Sequence, residues 1–176
     1  LDYNGPVAQD GVLYYIQGKA RAYKLPAQIM EPLPMKLEVL WTAAIPEDRY
    51  YASPLIHAGI VYDINQAHKF SAIDAVTGQV LYTQSLPLGG GQAYPSVTLG
   101  GALLFSGGES GAMCVLEPGR EFKQIAKNSL DKFRSSPVFS GDRLYLRGVD
   151  TLFCIAPVAP PAGAAITMAR QRTKMV

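Results

Sequence analysis

The sequence predicts an all-β chain, a β-propeller built of four-stranded antiparallel blades. Three observations carry this reading. A segment recurs four times, beginning at Pro6, Pro54, Ser96 and Pro137, with spacings of 48, 42 and 41 residues. A period of about forty residues filled with short strands is the signature of propeller blades. Every copy also holds a tight turn at one register, at Asp10-Gly11, Ala58-Gly59, Gly100-Gly101 and Gly141-Asp142. Such turns draw on residues that tolerate positive φ. Short runs rich in Val, Ile, Leu and Tyr flank each turn, as an antiparallel meander requires.

The second copy is the clearest. Residues 51–56 read as an inner strand, 59–64 as the next, and Asn65-Gln66-Ala67-His68 as the loop of a second hairpin leading into 69–74. Residues 79–84 then return at the outer edge. The first copy reaches 21–25, is interrupted by the Pro-rich stretch 26–34 and resumes at 36–41, ending in Trp41, the only tryptophan. In the third, 113–116 lead through Glu117-Pro118-Gly119 into an outer strand at 121–126. The fourth holds 152–156 and then loses the pattern. Residues 1–156 are therefore expected to form about four blades, starting near 5, 53, 95 and 136. Residues 157–176 read as a Pro/Ala-rich connector and a basic C-terminal tail, with 166–168 as the one candidate start of a missing strand.

Composition narrows the classes. At 176 residues and 48% apolar, the chain can bury a sizeable core. Its net charge of +2, from 16 basic and 14 acidic residues, offers no electrostatic footprint for nucleic acid. No apolar run approaches the roughly 20 residues of a bilayer-spanning helix. Leu1-Asp2-Tyr3-Asn4-Gly5 carries neither the basic nor the apolar region of a secretory signal, and a processed or truncated chain is the expectation. Cys114 and Cys154 lie 18 and 17 residues into their copies, which reads as equivalent core-strand positions packed between sheets.

The most specific motif is Ala72-Ile73-Asp74-Ala75-Val76-Thr77-Gly78-Gln79-Val80-Leu81-Tyr82. Asp74 is placed to accept backbone N–H bonds across the turn, Thr77 to reinforce it, and Gly78 to take the left-handed conformation that reverses the chain. This stretch resembles the pyrroloquinoline-quinone-type (PQQ-like) propeller repeat, which runs Ala-x-Asp-x-x-Thr-Gly-x-x-x-Trp. Tyr82 stands where the family has its docking tryptophan, and Trp41 holds that position in the first copy. The resemblance covers about residues 5–156, closely only in the second copy. It implies rings of about seven or eight blades. About four blades would then be part of a longer protein, be paired with a second copy, or close as a small ring; a homodimer stays open on this reading.

Function is sought where loops converge. Residues just ahead of the inner strands, Arg49, Tyr50, Tyr51, Gln92, Tyr94, Lys132 and Arg134, do not recur as the turns do, and in a propeller they fall near the mouth of the central channel. Other candidates are weaker. Phe105-Ser106-Gly107-Gly108-Glu109-Ser110-Gly111 lacks the Lys-Ser/Thr ending of a phosphate loop and matches a hairpin turn. His57 and His68 lack a third metal ligand at suitable spacing. Ser53, Ser96 and Ser136 recur with the blades, which argues for structure over a nucleophile.

The resemblance implies two functions. One is the BamB-like, non-catalytic branch: a protein-binding or scaffold module, extracytoplasmic, without a cofactor, whose partner is another protein or the remaining blades. The alternative is a fragment of a quinoprotein dehydrogenase that oxidises an alcohol or sugar with PQQ and calcium. The adjacent Cys-Cys pair and the Glu/Asn/Asp calcium set of that branch find no match in this sequence. The expectation is a non-catalytic binding module.

Overall fold

In the computed structural model, which describes residues 3–28, 34–157 and 168–174, the chain forms sixteen strands in four separate antiparallel sheets. Blade one holds β1 (Val7–Gln9), β2 (Val12–Gln17), β3 (Lys19–Lys24) and β4 (Glu38–Ala43). Blade two holds β5 (Leu55–His57), β6 (Ile60–Ile64), β7 (Lys69–Asp74) and β8 (Val80–Ser85). Blade three holds β9 (Thr98–Gly100), β10 (Leu103–Gly107), β11 (Ala112–Glu117) and β12 (Lys123–Ser129). Blade four holds β13 (Val138–Ser140), β14 (Arg143–Arg147), β15 (Thr151–Pro157) and β16 (Met168–Lys174). Each sheet is a plain up-and-down meander in sequence order. Among the described residues no helix is long and apolar enough to cross a membrane.

Burial follows from stacking. A blade between two others is covered on both faces, so all five residues of β6 are buried. A blade at either end is covered on one face, so β14 alternates, with only Leu144 and Leu146 buried. Three apolar clusters hold the stack. Tyr14, Ile16 and Ala22 of blade one meet Val61 and Ile73 of blade two. Tyr62, Phe70 and Ala72 of blade two meet Leu104, Cys114 and Leu116 of blade three. Met113 and Phe133 meet Leu144, Leu146 and Phe153 of blade four. Each large side chain so buried contributes roughly 1.5–3 kcal/mol. Among the described residues no such cluster joins blade four to blade one.

A hydrogen-bond ladder ties the blades at one rim. The Gly5 N–H donates to Ser53 Oγ at 3.0 Å, Ser53 N–H to Ser96 Oγ at 3.0 Å, and Ser96 N–H to Ser136 Oγ at 2.9 Å. Ser53 and Ser96 thus each give the hydroxyl to the preceding blade and the N–H to the following one, and Ser136 gives its hydroxyl to blade three. The steps are 48, 43 and 40 residues long.

These steps correct the third copy. Ser96 stands level with Ser53, so Val97, not Ser96, occupies the place of Pro54, and the turn is Gly101-Ala102, between Gly100 and Leu103. Its consequence is a change of face, because a one-residue offset in a strand turns every side chain over. Cys114 pairs with Ser106 and packs toward blade two, whereas Cys154 pairs with Tyr145 as Ala72 pairs with Tyr62. The hairpin between β14 and β15 is also one residue shorter than its counterpart in blade two. The two cysteines therefore lie on opposite faces of their blades and are not equivalent.

Two further expectations shift. The inner strand expected at 51–56 begins only at Leu55, because Ser53 spends its N–H on the ladder and Pro54 has none. The stretch expected as a basic tail supplies β16, which pairs with all of β15 and completes blade four. Parts of the Pro-rich interruption and of the Pro/Ala-rich connector, including 166–167, lie outside the described residues.

Candidate functional site

Two residues ahead of each ladder position stand Tyr3, Tyr51, Tyr94 and Arg134. The extended backbone there turns successive side chains to opposite sides. Tyr50, Ala93 and Phe133 accordingly point inward and are buried, while their neighbours line the rim.

The rim side chains form one continuous row. Tyr3 and Tyr51 meet edge to face with ring centroids 5.0 Å apart, and Tyr51 and Tyr94 lie 4.8 Å apart at a tilt. Arg134 places its guanidinium carbon 4.7 Å from the Tyr94 centroid, and Arg49 caps the other end at 6.0 Å from Tyr3. Edge-to-face aromatic pairs and cations over ring faces are the favoured geometries of these groups. Tyr3 is 56% exposed and Tyr51 and Tyr94 are half-buried, so the row presents ring surface to solvent.

Charged groups fix the ends. Arg134 donates from Nε to Glu109 Oε1 at 2.8 Å and from Nη2 to the same oxygen. That bond holds the Glu109 carboxyl below its ordinary range and pushes the Arg134 guanidinium up. Glu109 is positioned by its own N–H, which donates to Gln92 O at 2.9 Å. Arg49 is pushed up first by its hydrogen bond with Tyr51. A cavity of about 490 Å³ opens beside Arg134, lined by Glu109, Lys132, Phe133, Arg147 and Val149.

The structure thus brings together Arg49, Tyr51, Gln92, Tyr94, Lys132 and Arg134. Tyr50 is placed otherwise: it is fully buried, its hydroxyl donates to Pro46 O at 2.7 Å, and burial raises its pKa. Tyr3 belongs to the row and escaped the sequence reading. Its signal was the spacing itself, since Tyr3, Tyr51 and Tyr94 repeat once the third copy is realigned. The premise that these positions do not recur is replaced by a rim that does.

On the opposite side of the blades the repeat motif forms an interblade clasp. Asp74 Oδ1 accepts from Val76 N–H at 3.1 Å, Thr77 N–H at 2.9 Å and Thr77 Oγ1 at 3.0 Å, and Gly78 takes φ +74°. Trp41 of blade one lays its indole on this turn, Nε1 donating to Ala75 O at 2.9 Å. Tyr82 in turn meets Phe122 of blade three edge to face at 5.8 Å. Arg120 crosses from blade three to Asp74 Oδ2 at 2.7 Å, which with the Thr77 bonds lowers the Asp74 pKa to about 2.

Among the described residues no three of His, Cys, Asp or Glu are grouped to hold a metal ion. His57 and His68 lie at opposite ends of one hairpin.

No protein-family model matches the sequence, and no curated protein does. Solved structures do match. BamB from Moraxella catarrhalis superposes with a TM-score of 0.64 at 15% identity, covering 86% of this chain and 45% of that one. The chain is a β-propeller. The computationally designed Ika8 protein matches with a TM-score of 0.63 at 15% identity, over 85% of this chain and 44% of its own. The designed Ika4 protein matches with 0.58 at 10% identity, over 93% of this chain and 88% of its own. This propeller chain therefore spans less than half the length of BamB and Ika8.

Proposed function

We propose that this propeller is a non-catalytic scaffold that binds another protein through the tyrosine and arginine rim. The observation that carries the reading is the unbroken row from Arg49 through Tyr3, Tyr51 and Tyr94 to Arg134. Rigid aromatic rings and arginines are the side chains from which binding hot spots are made. Tyrosine loses little conformational freedom on contact, and here its rings are already ordered by one another. The excess of Arg49, Lys132, Arg134 and Arg147 over Asp48 and Glu109 favours a partner segment that carries acidic groups beside apolar or aromatic ones. The likeness to BamB supports an extracytoplasmic setting for the same reading.

The test is affinity capture from the source organism's envelope extract, with the wild-type chain and the double variant Arg49→Ala/Arg134→Ala compared by quantitative mass spectrometry. A partner enriched by the first and lost with the second is the expected result. Equal capture by both proteins would remove the rim from consideration.

A further inference from the structure

The first two junctions between neighbouring blades are each closed by an aromatic side chain from an outer strand, and the third is not. Trp41 pairs with Ala22 and Tyr82 with Ala72, each at the residue just before the register shift of its sheet. In blade three the shift falls between Val115 and Leu116, and the residue paired with Val115 is Ala126. The inner pairing agrees, since Phe105 faces Val115 as Tyr14 faces Ala22 and Tyr62 faces Ala72. Blade three therefore carries a methyl group where blade one carries an indole and blade two a phenol.

A cavity of about 370 Å³ lies in this third junction. Its apolar walls repeat those that pack with Trp41 in the first: Phe105 takes the place of Tyr14, Phe139 of Ile56, Leu144 of Val61, Ile155 of Ile73 and Pro157 of Ala75. Protein interiors leave few voids larger than a water molecule, so an opening of this size is exceptional. The polar residues of the lining are Asn128, where blade one buries Ala43, and Asp142, where blade two has Gly59. Both are exposed and mark the mouth. Every lining residue belongs to blade three, blade four or the segment between them, and none is a rim side chain.

We propose that this cavity binds a free planar aromatic molecule of the indole class, with a ring N–H. The class follows from what the protein itself places in the same frame. Trp41 sets its ring 5.9 Å from Tyr14 and donates from Nε1 to Ala75 O at 2.9 Å. Phe105 offers the equivalent aromatic wall, and Pro157, which has no N–H, brings only a carbonyl to the Ala75 position. The volume falls within the range of small-molecule sites, which are mostly apolar with a few polar groups. Apolar cavities of this kind take up aromatic molecules in preference to water. A polar substituent on the ring would meet Asn128, Asp142 and solvent at the mouth.

Indole itself is the probe. Titrated into the full chain and followed by methyl NMR, it should give saturable one-site shifts at Met113, Leu130, Leu144 and Ile155, with Ile16, Val61 and Ile73 of the first junction unmoved. 1-Methylindole, which cannot donate, should bind about fivefold or more weakly. Ala126→Trp supplies the ring from within the chain, so it should raise the thermal midpoint and abolish the indole shifts. Ala126→Tyr copies Tyr82 and should do the same if the larger ring prevents folding. Shifts that never saturate or that scatter over surface methyls would overturn the proposal. So would equal binding of indole and 1-methylindole, or indole binding that survives in a folded Ala126→Trp or Ala126→Tyr protein.

Discussion

Gly78→Ala should destabilise the protein by about 3–5 kcal/mol, and most of that loss should vanish when Trp41 is absent. The position has φ +74°, where an added Cβ costs about 1–2 kcal/mol. The new atom would also lie 2.7 Å from Trp41 Cδ2 and 2.8 Å from Cε3 and Cγ. Carbon atoms in contact prefer about 3.5–4.0 Å, so the indole must withdraw. Withdrawal breaks the Nε1 bond to Ala75 O, worth about 1 kcal/mol, and gives up roughly 1–2 kcal/mol of packing. The assay is urea unfolding followed by circular dichroism, on the wild type, Gly78→Ala, Trp41→Ala and the double variant. Thermal midpoints should fall by roughly 2–4 °C for each kcal/mol. In the Trp41→Ala background only the backbone strain remains, so the cycle should show a coupling of about 2 kcal/mol. An equal cost of Gly78→Ala in both backgrounds would refute the clasp and leave φ as the whole explanation.

Ser96→Ala removes the acceptor of the Ser53 N–H and should cost about 1–2 kcal/mol in the same unfolding assay; an unchanged midpoint would mean that solvent replaces the hydroxyl. Asp74 has its pKa lowered from 3.8 to about 2, so its contribution is complete above pH 3.8 and is lost as pH falls toward 2. Arg120 is 59% exposed, which reduces the expected loss to about 1 kcal/mol, and Arg120→Met should flatten stability between pH 4 and 2. Asp63 has the opposite sign. It is fully buried, and desolvation holds its pKa well above 3.8, so the wild type loses stability as pH rises from 3.8 toward the folded-state value. Asp63→Asn cannot ionise and should lose less than the wild type between pH 5 and 8; parallel pH curves for the two proteins would contradict this.

How much of this was legible follows from the range of each interaction. The blades were visible because their turns are local: Asp10-Gly11 and Ala58-Gly59 have positive φ at both residues, and that requirement is written in adjacent letters. The clasp was visible for the same reason, since Asp74, Thr77 and Gly78 satisfy one another within five residues. The ladder was not, because its bonds join residues 40 to 48 apart and a three-residue inner strand leaves its register open by one. Anchoring the third copy on Ser96 as though it matched Pro54 reversed the faces of that blade, and with them the reading of Cys114. Tyr50 and Tyr51 are neighbours of one chemistry, and only the direction of the backbone sends one into the core and the other to the rim. The strand at Met168–Lys174 was obscured by the Pro/Ala-rich segment before it, which broke the repeat spacing.

The serine ladder gives the fold a direction in time as well as in space. A blade's rim N–H waits for a hydroxyl that lies about forty residues later in the chain, so no blade finishes its own rim. During synthesis each blade remains provisional until the next emerges and supplies the missing acceptor. The same arrangement makes the unit from one serine to the next a self-consistent piece of sequence. Duplicating or deleting that unit leaves every remaining donor facing an acceptor, a route by which such arrays can change their number of blades without inventing a new joint.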